Sequence, residues 1–506
     1  MTNLSRRNFL KSTAIFAAGA SLSARSWAQV AGANSDIRMA VIGFRSRGAE
    51  HIKEWTTLKG CRLVALCDCD QSLLDKVNKN RGKETVVEGG IDPVTGKRGK
   101  GQTLKSLDAE TYLDMRKMLE NKNIDAVSIA TPNHWHSLAA IWAIQAGKDV
   151  YCEKPISHNI WEGRQLVKCA ANHKQIVASG TQSRSSLEGI QAAVNYVKEG
   201  NLGKIIIARG LCYKPRKSIG LTEGAQTVPD SINYDLWCGP APMDPPRRNS
   251  KANGPVHYEW HWFWAYGAGD LGNQGIHQMD ISRWFLGEAG LAPFVLSAGG
   301  RVGYRDDAET PNTQIVYQGY EKAPLIFEVR GLPSAKDATA MDKYKGASVG
   351  VVVECENGYV SVPNYTSASA HDKDGKVIKE WKGAENHFGN FLKAVRSRKE
   401  SDLNASILEG HVSSSLCHTG NVSYRVGAKK SQGEILDGVK AYKGMQETYE
   451  RMKEHLAKND VNIDNDKLTL GQPLKFDVQT ERFDNEAANA LLKRQYRAPY
   501  IVPENV

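Results

Sequence analysis

Lys154 and His277 are the two residues whose types and settings best suit proton transfer at a reacting hydroxyl. Lys154 stands in Glu153-Lys154-Pro155, directly after the apolar run Asp149-Val150-Tyr151-Cys152. A buried strand therefore delivers it, and a proline fixes the backbone behind it. A lysine in that setting orients a hydroxyl and relays its proton; a solvated surface lysine is the bland alternative. His277 stands in Asn273-Gln274-Gly275-Ile276-His277-Gln278-Met279-Asp280. If the segment is helical from Asn273, then Asn273 and His277 are i,i+4 neighbours and Asp280 follows at i+3. One helical face then carries an amide, an imidazole and a carboxylate. An imidazole titrates near neutrality and can take a proton from a hydroxyl as hydride leaves its carbon. A structural histidine in a helix is the other reading.

Upstream, Gly43-Phe44-Arg45-Ser46-Arg47-Gly48 follows the apolar run Ile37–Ile42 and reads as a strand-to-helix turn. The first glycine permits a tight turn, and the last lets the helix pack closely on the strand. The first N–H groups of that helix lack intrahelical partners and suit a pyrophosphate. The turn is thus a candidate G-x-G-x-x-G site with Arg45 in place of the middle glycine. Gly43, Arg45, Ser46, Arg47 and Gly48 form its candidate cofactor set, with Arg45 able to swing out as a cation beside phosphate. A turn with no ligand is the alternative for so short a motif. Asp68 ends the next apolar run, Leu63–Cys67, about 20 residues after Gly48. A carboxylate there accepts from ribose hydroxyls and favours NAD over NADP, whose 2′-phosphate it repels; NADP is the alternative.

Thr131-Pro132-Asn133-His134-Trp135-His136 closes a third apolar run. Ligands bind at the carboxyl ends of strands in parallel sheets. Thr131, Pro132, Asn133, Trp135, His136, Glu153 and Lys154 are therefore candidate cofactor contacts, with Trp135 and His136 packed round a nicotinamide ring. His134 and His136 also read as a metal pair, but no third ligand stands nearby. None of the nine cysteines forms a C-x-x-C pair. No metal site and no disulfide framework are expected.

These residues need strands that end together. The runs Ile37–Ile42, Leu63–Cys67, Ala126–Ala130 and Asp149–Cys152 alternate with helical stretches from Gly48, near Ala109–Leu119, and through Ala146. That alternation predicts a parallel sheet covered on both faces. Residues 82–105 read as an inserted surface loop. Beyond residue 184 the pattern changes to Ile205–Leu211, Val295–Ala298, Thr313–Tyr317, Leu325–Arg330, Val351–Cys355 and Tyr359–Val362, with helices at Glu385–Arg398 and Ser406–Arg425. The expected class is α/β. A Rossmann-type parallel sheet spans 34–183. A C-terminal α+β domain with a large, mostly antiparallel open sheet spans 184–430. An extension over 431–506 wraps the body or a neighbouring subunit.

The order of dinucleotide turn, acid-ended second strand, T-P-N-x-x-H, E-K-P and G-x-H-x-x-D helix resembles the Gfo/Idh/MocA oxidoreductases. Gly180-Thr181-Gln182-Ser183-Arg184, Trp237-x-Gly239-Pro240 and Trp262-Phe263-Trp264-x-Tyr266-Gly267 extend the likeness, as do His387-x3-Phe391, Glu409-Gly410-His411 and His418-x2-Asn421. It runs from about residue 36 to 427. The resemblance implies that Lys154 contacts the reacting hydroxyl and that His277 is the acid/base. Asn273 stands where many sugar dehydrogenases of the family carry Asp; an amide orients a partner but accepts no proton. Gln182, Arg184, Trp264, Tyr266 and Asp280 become candidate substrate contacts. Trp260, Trp262, Trp264 and Tyr266 suit stacking on a pyranose ring, or equally a core at the domain junction. Face-to-face pairing of the open sheet implies a homo-oligomer.

The N-terminus carries Ser5-Arg6-Arg7-Asn8-Phe9-Leu10-Lys11, then a small-residue apolar stretch, then Ser26-Trp27-Ala28. This order resembles a twin-arginine export signal. Residues 1–33 are read as signal and linker, the export machinery as a partner, and the location as periplasmic or otherwise outside the cytoplasm. The stretch is too short and too rich in small residues for a stable span, so no transmembrane span is expected in the mature chain. The chain of 506 residues carries a formal charge of +10, with four positive charges and no acid in residues 1–28, leaving +6 for the remainder. No basic stripe interleaves with aromatics, so nucleic acid is not expected. The combined expectation is an exported NAD(P)-dependent enzyme acting on a CH–OH carbon of a sugar, cyclitol or glycoside. Because free NAD is scarce outside the cytoplasm, the nucleotide is expected to travel with the protein. Two alternatives stand beside it. One is an NAD-dependent glycosidase or lyase passing through a transient keto-sugar without net redox. The other is a non-catalytic sugar or nucleotide sensor.

Overall fold

The computed structural model describes residues 36–81, 83, 85–87, 102–104, 107–251 and 253–506. The segment read as export signal, residues 1–33, lies outside the described residues, as does most of the 82–105 insert. Within that insert the short strands Thr85–Val87 and Gln102–Leu104 pair with each other.

The first sheet is six-stranded. Its strands are β1 (Ile37–Ile42), β2 (Cys61–Cys67), β3 (Glu110–Tyr112), β4 (Ala126–Ile129), β5 (Asp149–Cys152) and β6 (Val177–Ser179). They pair in the order β3-β2-β1-β4-β5-β6, each contact parallel. The order reverses beside β1, and the crevice outside the carboxyl ends of β1 and β4 is where ligands bind in such sheets. Helices α1 (Arg47–Thr57), α2 (Gln71–Lys79), α3 (Met115–Leu119), α4 (His136–Gln145) and α5 (Ile160–His173) connect the strands. The helix expected near Ala109–Leu119 is instead β3 followed by the short α3. Glu110, Thr111 and Tyr112 pair with β2, and Asp114 caps α3 by accepting from Arg116 N at 2.9 Å.

The second sheet has twelve strands. Its main run joins β7 (Ile205–Tyr213), β8 (Phe294–Gly300), β9 (Thr313–Gln318), β10 (Leu325–Arg330), β11 (Val349–Cys355), β12 (Gly358–Val362), β13 (Ser367–His371) and β14 (Val377–Lys382). The order is β14-β13-β12-β11-β7-β10-β9-β8, antiparallel except for β7 with β10. Between β7 and β8 lie the short helices α6 (Tyr234–Cys238) and α7 (Gly269–Asn273), then α8 (Gly275–Leu286). After β14 come α9 (His387–Ser397), α10 (Ile407–Arg425), α11 (Gln432–Val439) and α12 (Met445–Lys458).

Both faces of the first sheet are covered, and both faces of the second are covered over β7–β10, while β14 is exposed. On the second sheet, Ile276, Met279 and Phe285 of α8 and Leu416 of α10 pack with Phe327, Val329, Val351 and Val353. The opposite face receives Met445, Tyr449, Met452 and Leu456 of α12. Those four residues recur at helical spacing, so one apolar stripe explains why this polar extension folds onto its own chain. On the first sheet, Met39, Val41 and Leu66 pack with Trp55 of α1 and with Phe388 and Phe391 of α9. Helix α9 follows the second sheet in sequence yet completes the core of the first. Phe391 is fully buried there. Phe391→Ala is expected to lose about 3–5 kcal/mol of stability, chiefly in the first domain. Denaturant unfolding followed by Trp fluorescence checks this; a loss under 1 kcal/mol contradicts the shared core.

Candidate active site

A cavity of about 680 Å³ opens along the carboxyl ends of β1, β2, β4 and β5. One wall belongs to the first domain, the other to the second.

At the base of the first wall, Gly43 holds φ at +76°, and a Cβ there would stand 3.0 Å from Thr131 N and Cα. Gly48 supports the same turn from behind: a Cβ on it would stand 1.9 Å from the Gly43 carbonyl. Gly48 does not line the cavity; its role is the close approach of α1 to β1. Ser46 precedes α1 in a left-handed conformation (φ 44°) and its side chain caps nothing. The first turn of α1 thus opens toward the cavity without a side-chain cap, beside Arg45 and Ser46.

Arg47 lines the cavity and also pairs with two carboxylates. Its Nε donates to Glu153 Oε1 at 2.7 Å, and its Nη1 donates to Glu50. Glu153 also accepts from His51 Nε2 at 3.1 Å, while His51 Nδ1 meets Ser128 Oγ at 2.8 Å. Burial opposes a charge on Glu153, but Arg47 and the His51 contact hold it well below the usual carboxylate range. Glu153 lines the cavity while its charge is shared with these two protein partners. His51, one turn into α1, is a supporting residue the sequence reading missed; its Gly48-x-x-His51 spacing was the available signal.

Asp68 Oδ2 accepts from Phe44 N at 3.0 Å and Oδ1 from Asp70 N at 3.1 Å. Burial raises its carboxyl to about 6, against these two N–H donors. Arg45 Nη1 lies 3.8 Å from Asp70 Oδ2. At the end of β4, His136 spans two carbonyls, with Nδ1 at 2.5 Å from Pro155 O and Nε2 at 2.8 Å from Thr131 O. Trp135 Nε1 donates to Leu236 O at 2.9 Å. Thr131, Pro132, Asn133, Trp135 and His136 all line the cavity.

Just past the end of β5, Lys154 Nζ donates to the backbone carbonyl of Asn273 at 2.8 Å. Burial lowers Lys154 to about 8; Glu153 opposes the fall and Arg47 adds to it. His277 is 3% exposed, with its ring 4.7 Å from that of Tyr365. Burial, then the charge of Lys154, push it down to about 3. Asn273 ends α7 and the chain bends at Gln274 before α8, so Asn273 and His277 are not on one continuous helix. Gln274 Nε2 donates to Tyr365 OH at 2.7 Å. Gln274, Lys214, Tyr258, His261 and Tyr365 line the second wall and were not singled out from sequence. They are polar or aromatic residues on loops and strand ends, with no local motif to mark them.

Four expected substrate contacts stand elsewhere. Asp280, at i+3 from His277 in α8, does not line the cavity: it takes a two-pronged ion pair from Arg184, 2.8 Å on each arm, and accepts from Ser413 Oγ. Both side chains are buried away from the cavity, and Arg184 also lies over the Trp284 ring at 4.8 Å. Tyr266 is core, edge-on to Trp237 and bonded through its hydroxyl to Pro242 O. Trp264 lies under the Arg425 guanidinium, outside the cavity lining. Of the aromatic cluster, Trp260 reaches the cavity, stacked on His261 at 3.7 Å. Gln182 does line it.

Several buried polar atoms on lining residues have no partner within the protein: Thr131 Oγ1, Asn133 Nδ2, Gln182 Oε1 and His277 Nδ1. Unpaired buried polar groups are costly. With the open first turn of α1, the Gly43 cradle and the Asp68 carboxylate, they fit a dinucleotide lying from Asp68 toward Lys154. Asp68→Ala is expected to weaken NADH binding about tenfold to a hundredfold, the range for a charge-assisted hydrogen bond. Wild-type affinity should also fall as pH drops through about 6, where Asp68 gains a proton. Fluorescence titration checks both; equal affinity in the variant contradicts the placement of the ribose.

The oxidoreductase-family NAD-binding Rossmann model matches residues 37–181, and the family's C-terminal alpha/beta domain matches residues 204–435. A glycosyl hydrolase family 109 protein of Shewanella baltica is 26% identical over 229 residues, covering 41% of this chain and 45% of its own length. Levoglucosan dehydrogenase of Pseudarthrobacter phenanthrenivorans is 25% identical over 272 residues, covering 52% and 57%. The chain thus spans about half the length of these curated relatives. An oxidoreductase structure from Thermotoga maritima, 15% identical, superposes with a TM-score of 0.52 over 76% of this chain and 96% of its own. One from Erwinia carotovora atroseptica, also 15% identical, gives 0.52 over 76% and 98%. These likenesses show the fold. With both domains matched in order, the chain belongs to the Gfo/Idh/MocA oxidoreductase family, and its Rossmann domain binds NAD.

Proposed function

We propose that the protein moves hydride between NAD and the carbinol carbon of a sugar, cyclitol or glycoside. One observation carries this reading. Lys154 Nζ, depressed to about 8, is tied to the Asn273 carbonyl just ahead of a buried His277 whose Nδ1 has no partner. Bound NAD supplies the two-electron acceptor or donor at its nicotinamide ring. Asp68 holds the ribose; Arg45, Ser46 and the N-terminus of α1 hold the phosphates; Thr131, Asn133, Trp135 and His136 line the nicotinamide end.

The electrostatics shift the proton from His277 to Lys154. A general base works best with a pKa near the working pH. Lys154 meets that condition, whereas His277 stays neutral. In oxidation, neutral Lys154 takes the hydroxyl proton. His277 Nδ1 and Gln182 Oε1 remain for hydrogen bonds to the substrate, and Trp260 offers a ring face. Asn273 contributes its carbonyl to Lys154, a role that its amide side chain leaves unchanged.

A second reading is favoured by the relatives named as glycosyl hydrolase family 109 proteins. Oxidation of a glycoside carbinol to a ketone would acidify the neighbouring C–H, and the aglycone would leave by elimination with that proton. Water would add to the resulting enone, and return of the hydride to the carbonyl would close the cycle without net redox. Release of phenol from aryl glycosides without net NADH selects this reading; stoichiometric NADH selects the first. The S-R-R-x-F-L-K segment supports export in the folded state, and an exported enzyme of this kind needs its nucleotide aboard. Mass spectrometry of the denatured, purified protein should then find nucleotide; an empty yet fully active protein contradicts retention.

For the proton path, the oxidative kcat/KM should rise with pH to a plateau above about 8, as Lys154 loses its proton. Lys154→Met should remove that rise and about 10²–10⁴-fold of the rate. A profile with its inflection unchanged in the variant contradicts the assignment.

A further inference from the structure

The wall opposite the Rossmann domain includes Leu236 and Trp237 of α6 and Asn253, His257, Tyr258, Trp260 and His261, all supplied by the segment between β7 and α7. This segment is fastened to the first domain at the adenosine end. Gln71 N donates to Ser231 O at 2.7 Å, and Asn233 N donates to Cys69 O at 2.9 Å. Farther along, Trp135 Nε1 donates to Leu236 O, and His134 Nε2 lies 2.9 Å from Trp237 O. Trp135 itself fits against Gly239, where a Cβ would stand 2.1 Å from its ring.

A third segment locks this joint from outside. Tyr500 and Val502 are buried in the core beneath α4 and α5. The Tyr500 ring meets Trp135 edge-on at 5.5 Å, and its hydroxyl donates to Asp235 of α6. Arg497 Nη1 pairs with the same carboxylate, while Nη2 donates to Asp235 O at 2.7 Å. The neighbouring residues hold α5: Tyr496 OH donates to Glu162 Oε1 at 3.0 Å, and Gln165 Nε2 donates to Pro503 O at 3.0 Å. Arg494 Nη2 reaches Ala265 O at 2.7 Å. The exposed Asp235–Arg497 pair is worth little alone; buried Tyr500 and the carbonyl bonds give the joint its hold.

We propose that residues 493–506 brace the cofactor site from outside it, as positioning residues: Tyr500 and Arg497 hold α6 in place along the cavity wall and so set how long NAD stays bound. This deepens the retained-nucleotide reading above. No residue of the segment touches the reacting atoms. Its loss therefore speeds NAD release while leaving hydride transfer in the loaded enzyme unchanged.

The test is NADH release from the full-length holoenzyme, followed by stopped-flow fluorescence after chasing with excess NAD. The double variant Tyr500→Phe, Arg497→Met unties Asp235 yet keeps the Tyr500 ring. It is expected to release NADH about three- to tenfold faster, the effect of losing one or two polar bonds. Truncation after Leu492 should accelerate release further. Arg451→Met, which breaks the ion pair of α12 with Glu328 at 2.6 Å on the far face of the second sheet, serves as a control that lowers stability without touching the joint. Faster release in the double variant, with release in the Arg451→Met control unchanged, supports the proposal. Unchanged release in a folded double variant overturns it, as does equal acceleration by Arg451→Met. The readout needs only added NADH and no substrate, so a wrong substrate class leaves it standing.

Discussion

Glu153 is the group on which the site's geometry and electrostatics both depend. It is a carboxylate buried at the end of β5, held by Arg47 from the dinucleotide turn and by His51 from the same helix. A buried charge is tolerated only when paired and hydrogen-bonded. Here the pairing joins the phosphate-side turn to the strand that delivers Lys154. The Glu153 charge still favours the Lys154 ammonium, but burial outweighs it. With Arg47 close by and water largely excluded, Lys154 is left to titrate near 8 rather than at the ordinary lysine value. Gly180 lies against the same carboxylate, with room for no side chain: a Cβ would stand 2.9 Å from Glu153 Oε2.

This arrangement divides labour among the cationic groups. Arg47 looks in the sequence like a phosphate ligand, and it lines the cavity, but its charge is shared with Glu153 and Glu50. Arg45, one residue past Phe44 on the turn, remains at the cavity near Asp68 and Asp70. Arg184 and Asp280 likewise look like substrate contacts and instead neutralise each other between α8 and α10. In each case a charged residue close to the active centre is satisfied by an ionic partner distant in sequence. Such partners cannot be inferred from one chain's local spacing.

Much of the fold was nonetheless legible. Gly43, Asp68, Thr131 and Lys154 each stand just past an apolar run, and parallel strands that end together place such residues on one crevice. The main strands of the second sheet through Val362 were visible as β-rich runs. The edge strand β14 was missed because it is exposed along nearly its whole length and carries lysines rather than an alternating apolar face, and its neighbour β13 was missed with it. Helix α12 was missed although Met445, Tyr449, Met452 and Leu456 form a regular stripe, because the surrounding composition is polar. The bend at Gln274 and the position of Tyr365 against His277 depend on packing between distant elements. Local periodicity carries no record of either.

The central claim is that burial, with Arg47 nearby, leaves Lys154 as the group that changes protonation near working pH, with His277 neutral throughout. The most direct measurement is an NMR titration of the ¹³Cε–Hε signal of Lys154, assigned by comparison with Lys154→Met. The account predicts a midpoint near 8. A midpoint at the ordinary lysine value of 10.5, together with a His277 ring that gains its proton near 6.5, would contradict it.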